Sequence, residues 1–129
     1  YICTAINLGV NDLNNSSAYV TYMKKVAANL KKYNCKMYYL SVNPVNSAMV
    51  KNAGAIYRTE TQVAAFNKVI YRKLCSGKNK SFTYINSCTN LQMKGWISNR
   101  HDMGIYDGLH YSNATYLRIF DYCMRYLNR

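Results

Sequence analysis

The chain has 129 residues, 17 basic side chains, five acidic ones and a formal net charge of +12 at pH 7. This length suits one domain, and the 50% hydrophobic content is enough for one packed core. The ordinary or low counts of Gly, Pro and Cys exclude collagen-like, low-complexity and disulfide-scaffold proteins. The apolar runs are far shorter than the roughly 20 residues of a membrane helix, so the sequence predicts no membrane span.

The positive charge is spread over two predicted helices and does not form a recognisable nucleic-acid motif. Nine of the bases fall into two groups: Lys24, Lys25, Lys31 and Lys32, and then Lys68, Arg72, Lys73, Lys78 and Lys80. The sequence contains no Lys/Arg-Gly-aromatic strand, recognition-helix pattern or metal finger. Because bases on outer helix faces usually only solvate a protein, we expect no nucleic-acid partner. At most, the charge predicts attraction to an anionic bacterial wall or an acidic polysaccharide.

The five cysteines are odd in number, and no two of them have a Cys-x-x-Cys spacing. They therefore indicate neither a zinc site nor a disulfide framework, and we interpret them as small buried hydrophobic side chains. The abundance of Tyr, Asn and Lys is typical of a low-GC bacterial surface or secreted protein. The cysteines themselves leave the cellular compartment and their redox state open.

The chain begins at Tyr1 within an apolar segment, without an initiator Met or a signal peptide. Residues 2–8 are mostly apolar without clean alternation, which is typical of a parallel strand covered on both faces. Since a domain rarely starts inside a buried strand, we expect that an upstream part has been lost through processing, truncation or proteolysis.

A helix and a second strand follow the first strand. The helix has apolar residues at helical spacing, and Ser16 or Ser17 is predicted to cap its N-terminus. Residues 37–42 are predicted as a strand, which Asn43-Pro44 ends. The long connection that continues from there to residue 58 is typical of a functional loop.

The second half of the chain repeats this order. Thr59-x-x-Gln62 resembles a capping box at the start of a helix that Gly77 closes, and residues 82–86 are predicted as a strand. We expect an irregular stretch up to Ser112 and then a last helix over residues 113–127. The side chains predicted to face inward from this helix are Tyr116, Leu117, Phe120, Cys123, Met124 and Leu127.

The resulting order β-α-β-α-β-α predicts an α/β protein with a parallel sheet, right-handed crossovers and three layers. No internal repeat or linker interrupts it, so we predict a single domain over residues 1–129.

Two polar clusters lie where such a sheet would place a site, at the carboxyl ends of strands. The first contains Asn11, whose amide N–H could face developing negative charge on a substrate oxygen. The second contains Asp107 and His110, and a carboxylate three residues before an imidazole can fix its tautomer and leave one nitrogen as a base. For each residue taken singly, a structural explanation is commoner: an Asx-turn for Asn11, a loop cap for Asp107 and a surface histidine for His110. Their occurrence together at strand ends favours a functional site.

At these clusters the sequence resembles a known family. Gly9-Val10-Asn11-Asp12 resembles the third conserved block, G-x-N-D, of the SGNH (GDSL) hydrolases, and Asp107-Gly108-Leu109-His110 resembles their fifth block, D-x-x-H. Residues 39–45 also resemble the strand and loop that often follow the third block in bacterial members. The resemblance covers essentially the whole chain. It implies the flavodoxin-like, three-layer SGNH fold and a lipase-like esterase that needs no cofactor or metal.

The resemblance also implies roles for individual residues. His110 would be the general base, Asp107 its orienting acid and Asn11 a donor in the oxyanion hole. Gly9 and Asp12 would support the loop of Asn11. The acyl substrate, a small-molecule or carbohydrate ester, stays open because the pocket rather than the triad decides it.

Two parts of the family pattern are missing from these 129 residues. The nucleophilic Ser of the first block, in a Gly-Asp-Ser sequence, and the oxyanion Gly of the second block have no counterpart. The chain therefore resembles the C-terminal portion of such an enzyme, without its first two βα units, and we expect it to be nearly inactive alone. The strand over residues 2–8 would then be an open apolar edge, where we expect a dimer or a companion fragment to pair.

Two alternatives stay open. The chain could be a catalytically silent module that binds glycan or cell-wall material, with Tyr106, Tyr111 and Trp96 stacking on sugar rings. A metal could instead be held by His101 and Asp102 together with the Asp-His pair, although clustering on one loop is a weak metal pattern.

Overall fold

The computed structural model describes residues 2–100 and 106–128 of the chain. The strands in these ranges are β1 (Ile2–Ile6), β2 (Cys35–Leu40), β3 (Thr83–Ile85), β4 (Ser98–Arg100) and β5 (Tyr106–Tyr111). The helices are α1 (Ser16–Lys31), α2 (Ser47–Asn52), α3 (Glu60–Ile70), α4 (Ser87–Lys94) and α5 (Asn113–Leu127). A π-helical turn over Tyr71–Cys75 continues α3. None of the described helices is long and apolar enough to cross a lipid bilayer.

The first three strands form a parallel sheet in the order β1-β2-β3. Tyr39 near the end of β2 stands opposite Ile6 of β1 and Tyr84 of β3, so the three strands end at a common edge. Each strand lies within two residues of its predicted bounds. The predicted α/β class with a parallel sheet is confirmed for the described part of the chain.

Helices pack on both faces of this sheet. On one face, α1 and α3 bury Met23, Phe66 and Ile70 against Tyr39. On the other face, Cys123 of α5 packs with side chains of β2 and β3. The sheet therefore has a helical layer on each side, which is compatible with a three-layer α/β fold.

The sequence predicted the N-terminal cap of α3 correctly but not that of α1. The capping box is confirmed, because Thr59 Oγ1 accepts the N–H of Gln62 and the Gln62 side chain accepts the N–H of Thr59. The predicted serine cap of α1 is wrong. That helix begins at Ser16 itself, and Asn15 occupies the cap position without a side-chain hydrogen bond.

The region that was predicted to be irregular contains a helix and a hairpin. In α4, the Asn86 side chain caps the helix by accepting the N–H of Thr89. Strands β4 and β5 then pair antiparallel. Both were missed because α4 is short and mostly polar and β4 has no apolar alternation, so neither carries a periodic signal. The 43–58 connection likewise contains the short helix α2.

The last helix has its predicted bounds, and Cys123 and Leu127 pack inward as predicted. The prediction is wrong for Tyr116, Leu117 and Phe120, which are exposed. Leu117 is 62% exposed and Phe120 is 59% exposed. The side chains that pack against the sheet are Ile119, Tyr122, Cys123, Tyr126 and Leu127. The helix thus carries apolar residues on two sides, and only one of them is covered by the described residues.

Candidate active site

Asp107 and His110 lie on β5, where a tight turn brings their side chains together. One carboxylate oxygen of Asp107, Oδ1, accepts the backbone N–H groups of Leu109 and His110 at 2.8 and 2.9 Å. The other oxygen, Oδ2, lies 2.5 Å from Nδ1 of His110. With the Nδ1 proton held by the carboxylate, Nε2 keeps its lone pair and can accept a proton. The His110 side chain is 69% exposed, so this nitrogen is accessible.

The hydrogen bonds around Asp107 favour its charged form. Partial burial raises the pKa of the carboxyl group, but the hydrogen bonds from the backbone and ring of His110 and from the Leu109 N–H outweigh it. The pKa of Asp107 therefore lies below its ordinary value. At neutral pH the group is a carboxylate, which is the form needed to orient a histidine.

Gly108 allows the turn to lie directly against α2. Its φ of +75° is in the left-handed region, and an added Cβ would lie 2.7 Å from the backbone oxygen of Asn46. The Gly108 oxygen accepts the Asn46 N–H at 3.0 Å. A substitution here would push the Asp-His turn away from α2, so Gly108 is a structural requirement of the pair.

Ser98 of β4 supports the same turn from its other side. Its hydroxyl accepts the Gly108 N–H and donates to the His110 carbonyl oxygen, both at 3.2 Å. Ser98 carries no signal of this contact in the sequence, since only the antiparallel pairing of β4 with β5 brings it next to these residues.

The Gly9–Asp12 segment forms a compact turn after β1. The Asp12 N–H donates to the Gly9 oxygen at 2.8 Å, and the Asp12 oxygen accepts the Asn15 N–H at 2.9 Å. Gly9 has a φ of +115°, and an added Cβ would lie 2.7 Å from the Phe66 ring. Asn11 is exposed at the tip of this turn. The backbone of Asp12 therefore braces the loop that presents Asn11.

A buried tyrosine holds the start of this loop. Tyr39 Oη donates to the backbone oxygen of Leu8 at 2.8 Å and pairs with Tyr19 Oη at 2.8 Å. Burial raises the pKa of Tyr39 far above its ordinary value, so its hydroxyl stays a donor. Sequence analysis treated Tyr39 as a strand residue only, because a single sequence gives no signal for this tertiary contact.

Polar side chains connect the ends of β1 and β2 to the start of α4 by hydrogen bonds. Ser87 Oγ donates to Asn43 Oδ1 at 2.6 Å, Asn43 Nδ2 donates to Asn7 Oδ1 at 3.4 Å, and Asn7 Nδ2 donates to the Ser41 carbonyl at 3.2 Å. The network links β1, β2 and α4. Such a satisfied network favours a single arrangement of the loops above it.

The two motifs meet through apolar side chains. Val10 and Leu109 line the same small cavity of about 80 Å³, together with Tyr111 and side chains at the ends of β1 and β2. Across the described residues, no hydrogen bond joins Asn11 to Asp107 or His110. The two motifs therefore lie near each other at the ends of β1 and β2, and the Asp107–His110 pair is the part whose side chains interact directly. The predicted position of this pair at the end of a parallel strand is wrong, because both residues lie within β5 of the separate antiparallel sheet.

None of the serines in residues 2–100 and 106–128 hydrogen-bonds to the His110 ring. Ser112, the nearest in sequence, caps α5 by accepting the Thr115 N–H. Ser41 and Ser87 are fully buried in the network described above. The described residues thus present an imidazole paired with a carboxylate, and no described serine hydroxyl is hydrogen-bonded to the ring; Ser98 contacts the backbone of this turn.

A metal is a poor fit to the part of the chain that the structure describes, where no three potential ligands cluster. The predicted alternative that used His101 and Asp102 lies outside the described residues. In comparisons with known proteins, no family model matches the chain, and no curated protein matches its sequence.

Proposed function

We propose that this protein is a serine-type ester hydrolase of the SGNH kind, with a flavodoxin-like fold, in which His110 is the general base and Asp107 orients it. The observation that carries the proposal is the 2.5 Å contact between Asp107 Oδ2 and His110 Nδ1 beside an exposed ring. A solvated surface histidine needs no such partner, whereas a general base needs its tautomer fixed and its other nitrogen free.

The chemistry follows from this arrangement. Nε2 of His110 accepts the proton of a serine hydroxyl as the serine oxygen attacks the ester carbonyl, and Asp107 stabilises the resulting imidazolium. Asn11, at the tip of the Gly9 turn, donates to the oxyanion of the tetrahedral intermediate. The imidazolium then protonates the departing alcohol. Water repeats the cycle on the acyl-enzyme and releases the acid.

The proposal includes a partner segment that supplies the serine. In the described sheet β1 pairs on one side only, with β2, so its other edge is free to accept a strand. The exposed Leu117 and Phe120 of α5 offer apolar surface to the same partner. A companion fragment bound there would place a strand end next to the Gly9 turn, whereas a second copy of this chain would cover the edge without supplying the serine. Without the companion fragment, the chain is expected to be nearly inactive.

A fluorophosphonate probe tests this function on the protein isolated from its natural source. We expect one probe mass on a serine of a species that contains this chain, and no labelling after His110→Gln. The 14.9 kDa chain alone is expected to take up no probe. A natural protein that neither reacts with the probe nor hydrolyses simple acetyl esters would refute the proposal.

The alternative of a catalytically silent glycan-binding module predicts binding without turnover. Of the three aromatic residues considered for this module, not all can stack on a sugar ring. Tyr111 is only 7% exposed, and its hydroxyl donates to the Pro44 oxygen at 2.7 Å, so its ring cannot stack on a ligand. The side chain of Tyr106 lies outside what the structure describes. Trp96 remains partly exposed, next to a groove.

A further inference from the structure

A groove between α3 and α4 lies apart from the Asp107–His110 pair. It has a volume of about 450 Å³, which is within the range of small-molecule sites. The aromatic residues Tyr71, Tyr84 and Trp96 line it together with Pro44. A second cavity of about 540 Å³ shares Glu60 and Trp96 with it, so the groove continues past the indole.

The indole of Trp96 is held firmly by its neighbours. Its ring packs edge-to-face on Tyr111, with centroids 5.5 Å apart. The preceding Gly95 oxygen accepts a 2.7 Å hydrogen bond from Arg118, and the following Ile97 N–H donates to Thr115 Oγ1 at 3.0 Å. A ring fixed in this way loses little conformational entropy when a ligand covers it, which favours binding.

The π-helical turn after α3 places a second aromatic side chain on the groove. Tyr71, the first residue of that turn, is exposed and lies edge-to-face on Tyr84 at 5.3 Å. Turns of this kind are rare and are frequent at functional sites. Two aromatic rings, Tyr71 and Trp96, are thus presented to one cavity.

The polar lining suits a ligand with hydroxyl groups. Lys68 and Gln92 line the groove, and neither side chain makes a hydrogen bond to another described residue. Glu60 is held at the rim by Ser47, whose hydroxyl donates to Glu60 Oε2 at 3.2 Å and accepts the Glu60 N–H at 2.9 Å. The charges of the lining are balanced, because it contains one cation, Lys68, and one carboxylate, Glu60. The segment over residues 61–100, by comparison, contains many basic residues and no acidic one.

The described residues that line this groove include no activated nucleophile. Cys88 lines its wall, but burial raises the pKa of the thiol to about 11, so it is neutral at pH 7. A neutral thiol is a poor nucleophile. The groove is therefore equipped to bind a ligand and not to modify one.

From these features we infer that the groove between α3 and α4 binds a short saccharide of about two pyranose rings. The apolar C–H face of a pyranose stacks on the indole of Trp96 and on Tyr71. Its hydroxyl edge pairs with the Gln92 amide, the Lys68 ammonium and the Glu60 carboxylate. A nucleotide or another polyanion would meet one cation opposed by a carboxylate, which disfavours it. The inference goes beyond ester hydrolysis and does not need the missing serine.

Trp96 is the only tryptophan of the chain, so its fluorescence reports directly on the groove. The 129-residue chain is titrated with cellobiose, maltose and N,N′-diacetylchitobiose up to about 20 mM, where a millimolar site is largely saturated. We expect a saturable change in emission with at least one disaccharide. It should persist in His110→Gln, which separates this site from the proposed hydrolase function.

Matched variants locate the binding site. Gln92→Ala and Lys68→Ala should each weaken binding about fivefold, the loss of roughly one hydrogen bond. Asn90→Ala on α4 and Lys73→Ala on the π-helical turn remove the same kinds of group outside the groove, and they should leave binding unchanged. Trp96→Phe removes the signal, so its binding is followed by isothermal titration calorimetry. Circular dichroism shows that each variant is folded.

Three outcomes would overturn the inference. The first is no saturable response to any of the three disaccharides in the folded chain. The second is equal weakening by Gln92→Ala and by Asn90→Ala, which would place the ligand elsewhere. The third is binding that disappears at moderate salt and is competed by a polyanion, which would assign it to the basic surface.

Discussion

The carboxylate of Asp107 binds both the ring and the backbone of His110. Oδ2 lies 2.5 Å from Nδ1, and Oδ1 accepts the His110 N–H at 2.9 Å. The Asp107 side chain therefore holds both the backbone of His110 and the orientation of its imidazole ring. This double contact distinguishes the pair from two polar residues that happen to be near each other.

Replacing Asp107 by Asn should separate orientation from folding. In Asp107→Asn the amide oxygen can still accept the two backbone N–H groups, so the turn is expected to form. The imidazole, however, loses the partner that holds its Nδ1 proton. We expect esterase kcat/KM of the natural protein to fall about 10²- to 10⁴-fold with little change in KM. Asp121→Asn on exposed α5 is the control, and equal losses in the two variants would contradict a role for Asp107.

The same carboxylate should make stability depend on pH. Its pKa in the folded protein lies below the ordinary value of 3.8. The native state therefore binds this proton less readily than the unfolded state, and the stabilisation is present above about pH 4 and is lost as the pH falls through the folded-state pKa. The difference in unfolding free energy between the original chain and Asp107→Asn should be largest near pH 7 and shrink by about pH 3. Urea unfolding at both pH values measures it, and a constant difference would contradict the prediction.

Gly108 and Gly54 have nearly the same φ, so a comparison of the two separates the cost of the backbone conformation from the cost of the contact with α2. Gly108 and Gly54 have φ values of +75° and +81°, but only at Gly108 would an added Cβ collide, with the Asn46 oxygen. Gly54→Ala should cost about 1 kcal/mol for the left-handed backbone. Gly108→Ala should cost about 2–4 kcal/mol, because the backbone of α2 must move as well. Chemical denaturation compares the two, and equal costs would show that α2 does not restrain the turn.

The exposed side of α5 should take part in association. Leu117 and Phe120 on this side are large apolar side chains that are 62% and 59% exposed. We expect Phe120→Glu to shift the chain towards the 14.9 kDa monomer in analytical ultracentrifugation without lowering its thermal midpoint. Tyr22→Glu on exposed α1 is the control. An original chain that is monomeric at its highest soluble concentration would contradict the prediction.

The amino-acid sequence by itself determined the features that depend on neighbouring residues. The capping box at Thr59 and Gln62 joins positions three apart, and so does the contact between Asp107 and His110. The order of strands and long helices also follows from local periodicity, since alternating β and α segments of these lengths build a parallel sheet. Both contacts join residues only three positions apart, so the spacing of residue types in the sequence was enough to predict them.

The tertiary structure decided everything that depends on contacts between distant segments. It buried Cys123 and left Phe120 exposed, because the sheet covers only one of the two apolar sides of α5. It also brought the Tyr39 hydroxyl to the Leu8 oxygen and the Ser98 hydroxyl to Gly108. An apolar or hydroxyl-bearing residue shows in sequence only that it can be buried or bonded. Which neighbour meets it depends on how strands pair and helices pack, and that is a property of the whole chain.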